Sequence, residues 1–173
     1  YLATRAQPSP EAMAANLQEL RELLVFAHQH DIDLRLYMSP EHLFLTQLRT
    51  QLGLNHQWQE FHRQLVAINQ AVAEELQTKP FPLRAFNTLG GIVDEALATG
   101  PAGTDAWFRD GIHFRAELGD LIMESTWGDS LGQGWELTED SVDAYLIRVE
   151  EMRRKTASQQ PRHFARYMAK LEL

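Results

Sequence analysis

Over two long stretches of the chain, apolar positions recur every third or fourth residue, the period of a helix with one buried stripe. In the first, Met13, Leu17, Leu20, Leu24 and Ala27 share a face. Ahead of them, Ser9-Pro10-Glu11 supplies a capping hydroxyl, a proline suited to the first helical turn and a carboxylate at the positive helix end. These features predict a helix over residues 10–29. In the second stretch, Trp58, Phe61, Leu65, Ile68, Val72 and Leu76 predict the longest helix, over residues 56–77, closed by Lys79-Pro80. Between the two, Asp31 to Met38 alternates polar and apolar residues as a half-buried strand does, and ends at Ser39-Pro40. There a second Ser-Pro-Glu predicts a further helix through Leu43, Phe44, Leu45 and Leu48, with Gly53 as its stop.

Further along, Phe81 to Phe86 reads as a short strand, with Pro82 confining it to a sheet edge or to its first residues, and Gly90-Gly91 breaks the pattern. Residues 99–106 are loop by composition. An ordered segment follows from Trp107 to His113, then a short helix near residues 115–125. After Gly128, Gly132 and Gly134, Thr138-Glu139-Asp140 is a helix start, with Val142, Tyr145, Leu146, Val149 and Met152 as the buried face. A second short amphipathic helix is expected after Pro161. Strands alternating with helices, without hairpin signals, predict a helix-rich α/β chain with a parallel sheet.

Composition narrows the function classes. The 173 residues are 44% hydrophobic and 23% charged, an ordinary balance for one globular domain of this length. The absence of cysteine removes thiol nucleophiles, zinc ribbons and iron-sulfur clusters. A net charge of -8 disfavours a broad phosphate-binding surface, so no nucleic-acid partner is expected. No run is long and apolar enough for a membrane helix and no signal peptide opens the chain, so it is expected to be soluble. The start at Tyr1 instead of methionine is read as the mark of a processed product or a fragment. Charge is uneven: residues 120–151 hold nine acids and one base, while residues 152–173 hold six bases and one acid. The basic helical tail, residues 153–173, is read as a solvated face that neutralises the acidic segment.

Candidate chemistry concentrates between Trp107 and Asp120. Asp110 and His113, three residues apart with Gly111 between them, can set a carboxylate against one imidazole nitrogen and leave the other free. That is the orienting pair of a hydrolytic triad, in which the carboxylate fixes the tautomer and the imidazole removes a proton from a nucleophile. The alternative is that Asp110 only holds a loop while His113 caps or packs on the next helix. Trp107, Arg109 and Arg115 flank the pair as candidate substrate-binding residues, the arginines for an anionic group. Trp58 belongs to the core stripe. Ser39, at a strand-to-helix turn, is a candidate nucleophile, with His42 one turn on. Ser before Pro at a helix start is also an ordinary cap, and no Gly-x-Ser-x-Gly surrounds it. His28, His30, Asp31 and Asp33 carry metal-donor atoms, but residues two apart on a helix do not share a face, and no metal or other cofactor is expected. His56, His62 and His163 are read as surface or packing residues.

The run Asp110-Gly-Ile-His-Phe-Arg-Ala-Glu-Leu-Gly-Asp-Leu-Ile122 resembles the final motif block of SGNH (GDSL-like) hydrolases, in which Asp-x-x-His precedes a helix running through a glycine. Upstream, Leu34-Arg-Leu-Tyr-Met-Ser-Pro-Glu-His42 is similar to the late strand and turn of bacterial envelope members. Downstream, Trp135 to Asp143 is similar to the start of their terminal helix. Residues 10–152 thus share the layout of a C-terminal half. The resemblance implies part of a three-layer α/β/α parallel-sheet fold of flavodoxin-like type. It also implies hydrolysis or transfer of an ester acyl group, often on a carbohydrate, with His113 as general base and Asp110 as its orienting carboxylate. The serine, glycine and asparagine blocks of the superfamily have no counterpart in these residues. The resemblance therefore implies a missing N-terminal half or a partner surface, and an envelope or periplasmic location with any membrane anchor outside this chain. The alternative is a non-catalytic α/β binding or scaffolding module of the cell envelope.

Overall fold

The computed structural model describes residues 9–95, 107–128 and 133–159. The elements in order are α1 (Pro10–Gln29), β1 (Leu36–Met38), α2 (Leu43–Gln51), α3 (Asn55–Glu75), β2 (Leu83–Ala85), α4 (Ala116–Trp127), β3 (Trp135–Glu136) and α5 (Val142–Gln159). The chain is a helix-rich α/β protein. The expected loop over residues 99–106, most of the glycine-rich loop, the helix after Pro161 and His163 lie outside the described residues.

The start of α1 follows its sequence signals, since the Ser9 hydroxyl accepts the Ala12 amide at 3.1 Å. Its end explains why β1 is shorter than the alternating pattern suggests. Asp31 takes the left-handed conformation (φ 52°), and the amides of Asp31 and Ile32 return to the His28 and Ala27 carbonyls. Residues 31–35 therefore terminate the helix and turn, leaving only Leu36–Met38 to pair. The same double return closes α2 at Gly53 (φ 73°) and α3 at Gln77 (φ 53°). Gly53 is thus the stop its sequence position indicates.

The sheet is mixed, in the order β1-β2-β3. β1 and β2 are parallel, Leu36 opposite Leu83 and Met38 opposite Ala85, with α2 and α3 forming the crossover. β3 runs antiparallel to β2, with Ala85 opposite Trp135, which differs from the all-parallel expectation. Pro82 sits one residue before β2, and its carbonyl accepts the Leu36 amide, so the central strand loses no ladder donor. Among the described residues no strand pairs with the outer edge of β1.

One core joins the sheet to the helices: Leu83, Ala85 and Phe86 meet Leu43, Val66, Phe108, Leu118, Ile122, Tyr145, Leu146 and Val149. Trp58 packs against this core, half-buried. The buried face expected for the last helix, Val142, Tyr145, Leu146, Val149 and Met152, is the one observed on α5. That helix begins at Val142 because residues 138–141 form a turn, in which the Thr138 carbonyl takes both the Ser141 and the Val142 amides. Among the described residues no helix is long and apolar enough to cross a membrane.

Candidate functional site

Three connections converge at the carboxyl end of the parallel pair, the end at which open α/β sheets present their ligands. They are residues 39–42 after β1, residues 86–95 after β2, and the loop 107–115 ahead of α4. The Leu43 amide donates to the Val93 carbonyl at 2.8 Å and the His42 amide to the Gly111 carbonyl at 2.9 Å. The loop itself closes like a small hairpin: Phe108 bridges Phe114, the Arg109 amide donates to the His113 carbonyl, and the Arg115 amide donates to the Trp107 carbonyl. The fully buried Phe108 side chain pins it to the core.

At the tip of this loop stand Asp110 and His113. The Asp110 Oδ1 atom accepts the amides of Ile112 and His113, each at 2.8 Å. Its Oδ2 atom lies 2.6 Å from His113 Nδ1. With the carboxylate ionised, Nδ1 carries the hydrogen and donates it, and in the neutral form of the ring Nε2 holds the lone pair. The imidazole is 70% exposed and the carboxylate 47%. Partial burial acts to raise the Asp110 pKa, but the two amides and the imidazole outweigh it and hold the carboxyl below its ordinary value. Among the described residues no hydroxyl is hydrogen-bonded to Nε2. The arrangement can orient an imidazole and accept a proton at its outer nitrogen; among the described residues it contains no nucleophile.

Gly111 lets the loop sit this close. A Cβ there would lie 2.7 Å from the Phe44 ring and 2.9 Å from Leu45 Cγ, both on the first turn of α2. Trp107 is half-buried and packs against the core, Arg109 is exposed beside His113, and Arg115 is half-buried at the start of α4.

Ser39 is exposed, and among the described residues its hydroxyl reaches only the Pro40 carbonyl, at 3.5 Å. It does not cap α2. The cap is His42, which is 2% exposed and whose Nδ1 accepts the Phe44 amide at 3.1 Å. Its other nitrogen, Nε2, lies 2.7 Å from the Glu95 carbonyl, and since a carbonyl only accepts, Nε2 carries the hydrogen. Glu95 in turn accepts the Trp107 and Phe108 amides on its carboxylate. His42, read from the sequence as a histidine able to reach this cleft or to pack, is packed; Glu95 does not stand out in the sequence, because it acts through contacts distant along the chain. The proline-glutamate pair after Ser39 was the nearest signal, and it places the helix start three residues early.

A second polar cluster lies between α2, α3 and α5. Glu41 and Arg49 form a largely buried ion pair, with Arg49 Nη1 to Glu41 Oε2 at 2.7 Å, and Thr46 bonds to both. The guanidinium stands 4.8 Å from the Trp58 ring centre. His62, 1% exposed, donates from Nδ1 to the Trp58 carbonyl at 2.8 Å and stacks on Tyr145. Burial pushes the His62 pKa down, a shift opposed by the Trp58 carbonyl and Glu41 and reinforced by Arg49. Burial likewise drives the Tyr145 hydroxyl well above its usual range. The cluster is largely buried, with the Arg49 and Glu41 side chains 20% and 15% exposed.

His28 stacks on Phe81, and the exposed His30 ring lies tilted against Phe26 at the surface. Among the described residues no group of three or more histidine, aspartate or glutamate side chains is placed to hold a metal ion. No protein-family model, no curated protein and no solved structure matches the chain.

Proposed function

We propose that Asp110 and His113 are the orienting carboxylate and general base of a serine hydrolase or O-acyltransferase of SGNH type, acting on a small-molecule or carbohydrate ester in the bacterial envelope. The observation that carries this reading is the 2.6 Å contact between Asp110 and His113 Nδ1, with the outer nitrogen open to solvent at the carboxyl end of two parallel strands. In this reading the serine comes from a segment outside these residues. His113 Nε2 takes the serine proton as the oxygen attacks the ester carbonyl, and the imidazolium then protonates the departing alcohol. Water or an acceptor hydroxyl, deprotonated by the same nitrogen, releases the acyl group and restores the serine. Arg109, exposed on the same loop and joined to His113 through the backbone, is suited to an anionic portion of the substrate.

The reading also places β1 to β3 within a larger three-layer α/β/α sheet. Two features support it. Among the described residues the outer edge of β1 is unpaired, and Leu23, Phe26, Ile32 and Tyr37 are each more than 40% exposed. A bare strand edge together with exposed apolar side chains suits continuation of the sheet and of its covering helices.

The test is an ester-hydrolysis assay on the full-length gene product, with fluorophosphonate labelling. The expected result is a labelled serine outside these residues, and a loss on the order of a thousandfold or more in turnover for His113→Ala. A normal rate in His113→Ala sinks the proposal. The second reading, a non-catalytic α/β binding or scaffolding module, is favoured by the lack of a hydroxyl at Nε2 among the described residues. It expects no labelling of the full-length protein and ligand binding that survives loss of Asp110 or His113.

A further inference from the structure

We infer that Glu95 is the positioning residue of this site, a brace that holds the loop bearing Asp110 and His113 through the backbone of Trp107 and Phe108; the inference rests on the proposed roles of that pair. The loop needs such a brace. Of the side chains near its tip, Arg109, Ile112 and His113 are exposed, and only Phe108 is fully buried. Its placement therefore depends on where its backbone is tied.

Glu95 ties it at two points. One carboxylate oxygen accepts the Trp107 amide at 3.1 Å and the Phe108 amide at 2.9 Å, with the second oxygen 3.3 Å from the Trp107 amide. These are charge-assisted bonds to consecutive donors at the start of the loop. The Glu95 carbonyl accepts the His42 Nε2 hydrogen at 2.7 Å, and the amide of the same histidine donates to the Gly111 carbonyl at the tip. One residue thus grips both the root of the loop and, through His42, its apex. A base misplaced by about 1 Å costs on the order of a hundredfold in rate, so a brace of this kind governs function without meeting the substrate.

The experiment follows the Asp110 carboxyl by carbon-detected NMR titration in the wild-type chain, Glu95→Ala and Glu95→Gln, with thermal melting alongside. In the wild type the Asp110 midpoint lies below the ordinary aspartate value. Glu95→Ala shifts it upward, as the amide and imidazole contacts of Asp110 loosen. Glu95→Gln, which keeps one carbonyl oxygen for the same two amides, restores most of the depression. A residue with a merely structural role lowers the melting temperature and leaves the Asp110 midpoint of the folded protein unmoved, which overturns the inference. Amide exchange in the wild type needs no variant: Trp107 and Phe108 are protected if Glu95 holds them, and exchange at unprotected rates also overturns it. A wild-type Asp110 titrating at the ordinary value removes the proposed dyad along with its brace. A depressed wild-type midpoint that Glu95→Ala does not move removes the brace alone.

Discussion

The two histidine-carboxylate regions of this protein are built from similar groups and arrive at opposite properties. At the loop tip, His113 meets Asp110 at 2.6 Å and keeps its outer nitrogen in solvent. Between the helices, His62 gives its hydrogen to a carbonyl of its own helix and is closed in by Trp58, Phe61 and Tyr145. Burial sets the difference. An enclosed imidazole is held neutral and contributes to packing, whereas an exposed one, oriented by a carboxylate, can exchange protons with whatever approaches it.

The comparison breaks first at Glu41. Replacing it with alanine leaves the Arg49 guanidinium largely buried and without its counter-ion. The expected loss is about 2–3 kcal/mol in denaturant unfolding, below the full cost of breaking a buried pair because both side chains keep some solvent contact. A loss no larger than that of an ordinary surface substitution contradicts the buried character of this cluster.

The two regions also separate on the pH axis. The folded pKa of His62 lies below the ordinary value of 6.5, so the unfolded chain binds the proton more readily. Its contribution to stability is complete above that value and is lost as pH falls through it toward the folded pKa. Asp110 is depressed from 3.8, so its contribution persists through the His62 window and is lost only as pH falls below the ordinary aspartate value. Unfolding midpoints measured from pH 7.5 down to pH 3 are expected to flatten below about pH 6.5 in His62→Gln, and to change only below about pH 4 in Asp110→Asn. Equal slopes for both variants across the upper window remove the distinction.

The smallest effect on stability belongs to His113→Ala. With the ring 70% exposed and its ion pair at the surface, the change is expected within about 0.5 kcal/mol by the same denaturation measurement. A larger loss assigns His113 to the architecture of the loop.

What the sequence made legible was local. Ser9 and Pro10 mark the start of α1 because the capping hydroxyl and the amide it serves lie three residues apart. The Asp110 and His113 pair is legible for the same reason, the contact being built into its spacing. Distant contacts were silent. Nothing near Glu95 announces that its carboxylate will hold the Trp107 and Phe108 amides, and nothing in the long helix shows that His62 faces Tyr145 on α5. Where a local signal misled, a neighbouring motif prevailed. Ser39-Pro40 resembles a cap, yet His42 takes that position because its amide and ring are held by Gly111 and Glu95. The alternation from Asp31 to Met38 resembles a strand of modest length until the closure of α1 consumes its first half. β3 is too short, at two residues, to carry any pattern of its own.

Gly111 sets a rule for how this loop can change. The space its missing side chain leaves is filled by Phe44 and Leu45, so loop and helix are keyed to each other as lock and bolt. A library of substitutions at position 111 should come back nearly empty, and one at the exposed Ile112 nearly full. Moving the Asp-x-x-His sequence onto another scaffold without the matching first turn of α2 would carry over the letters and lose the placement. The smallest residue in the motif is therefore the one that makes it least transferable.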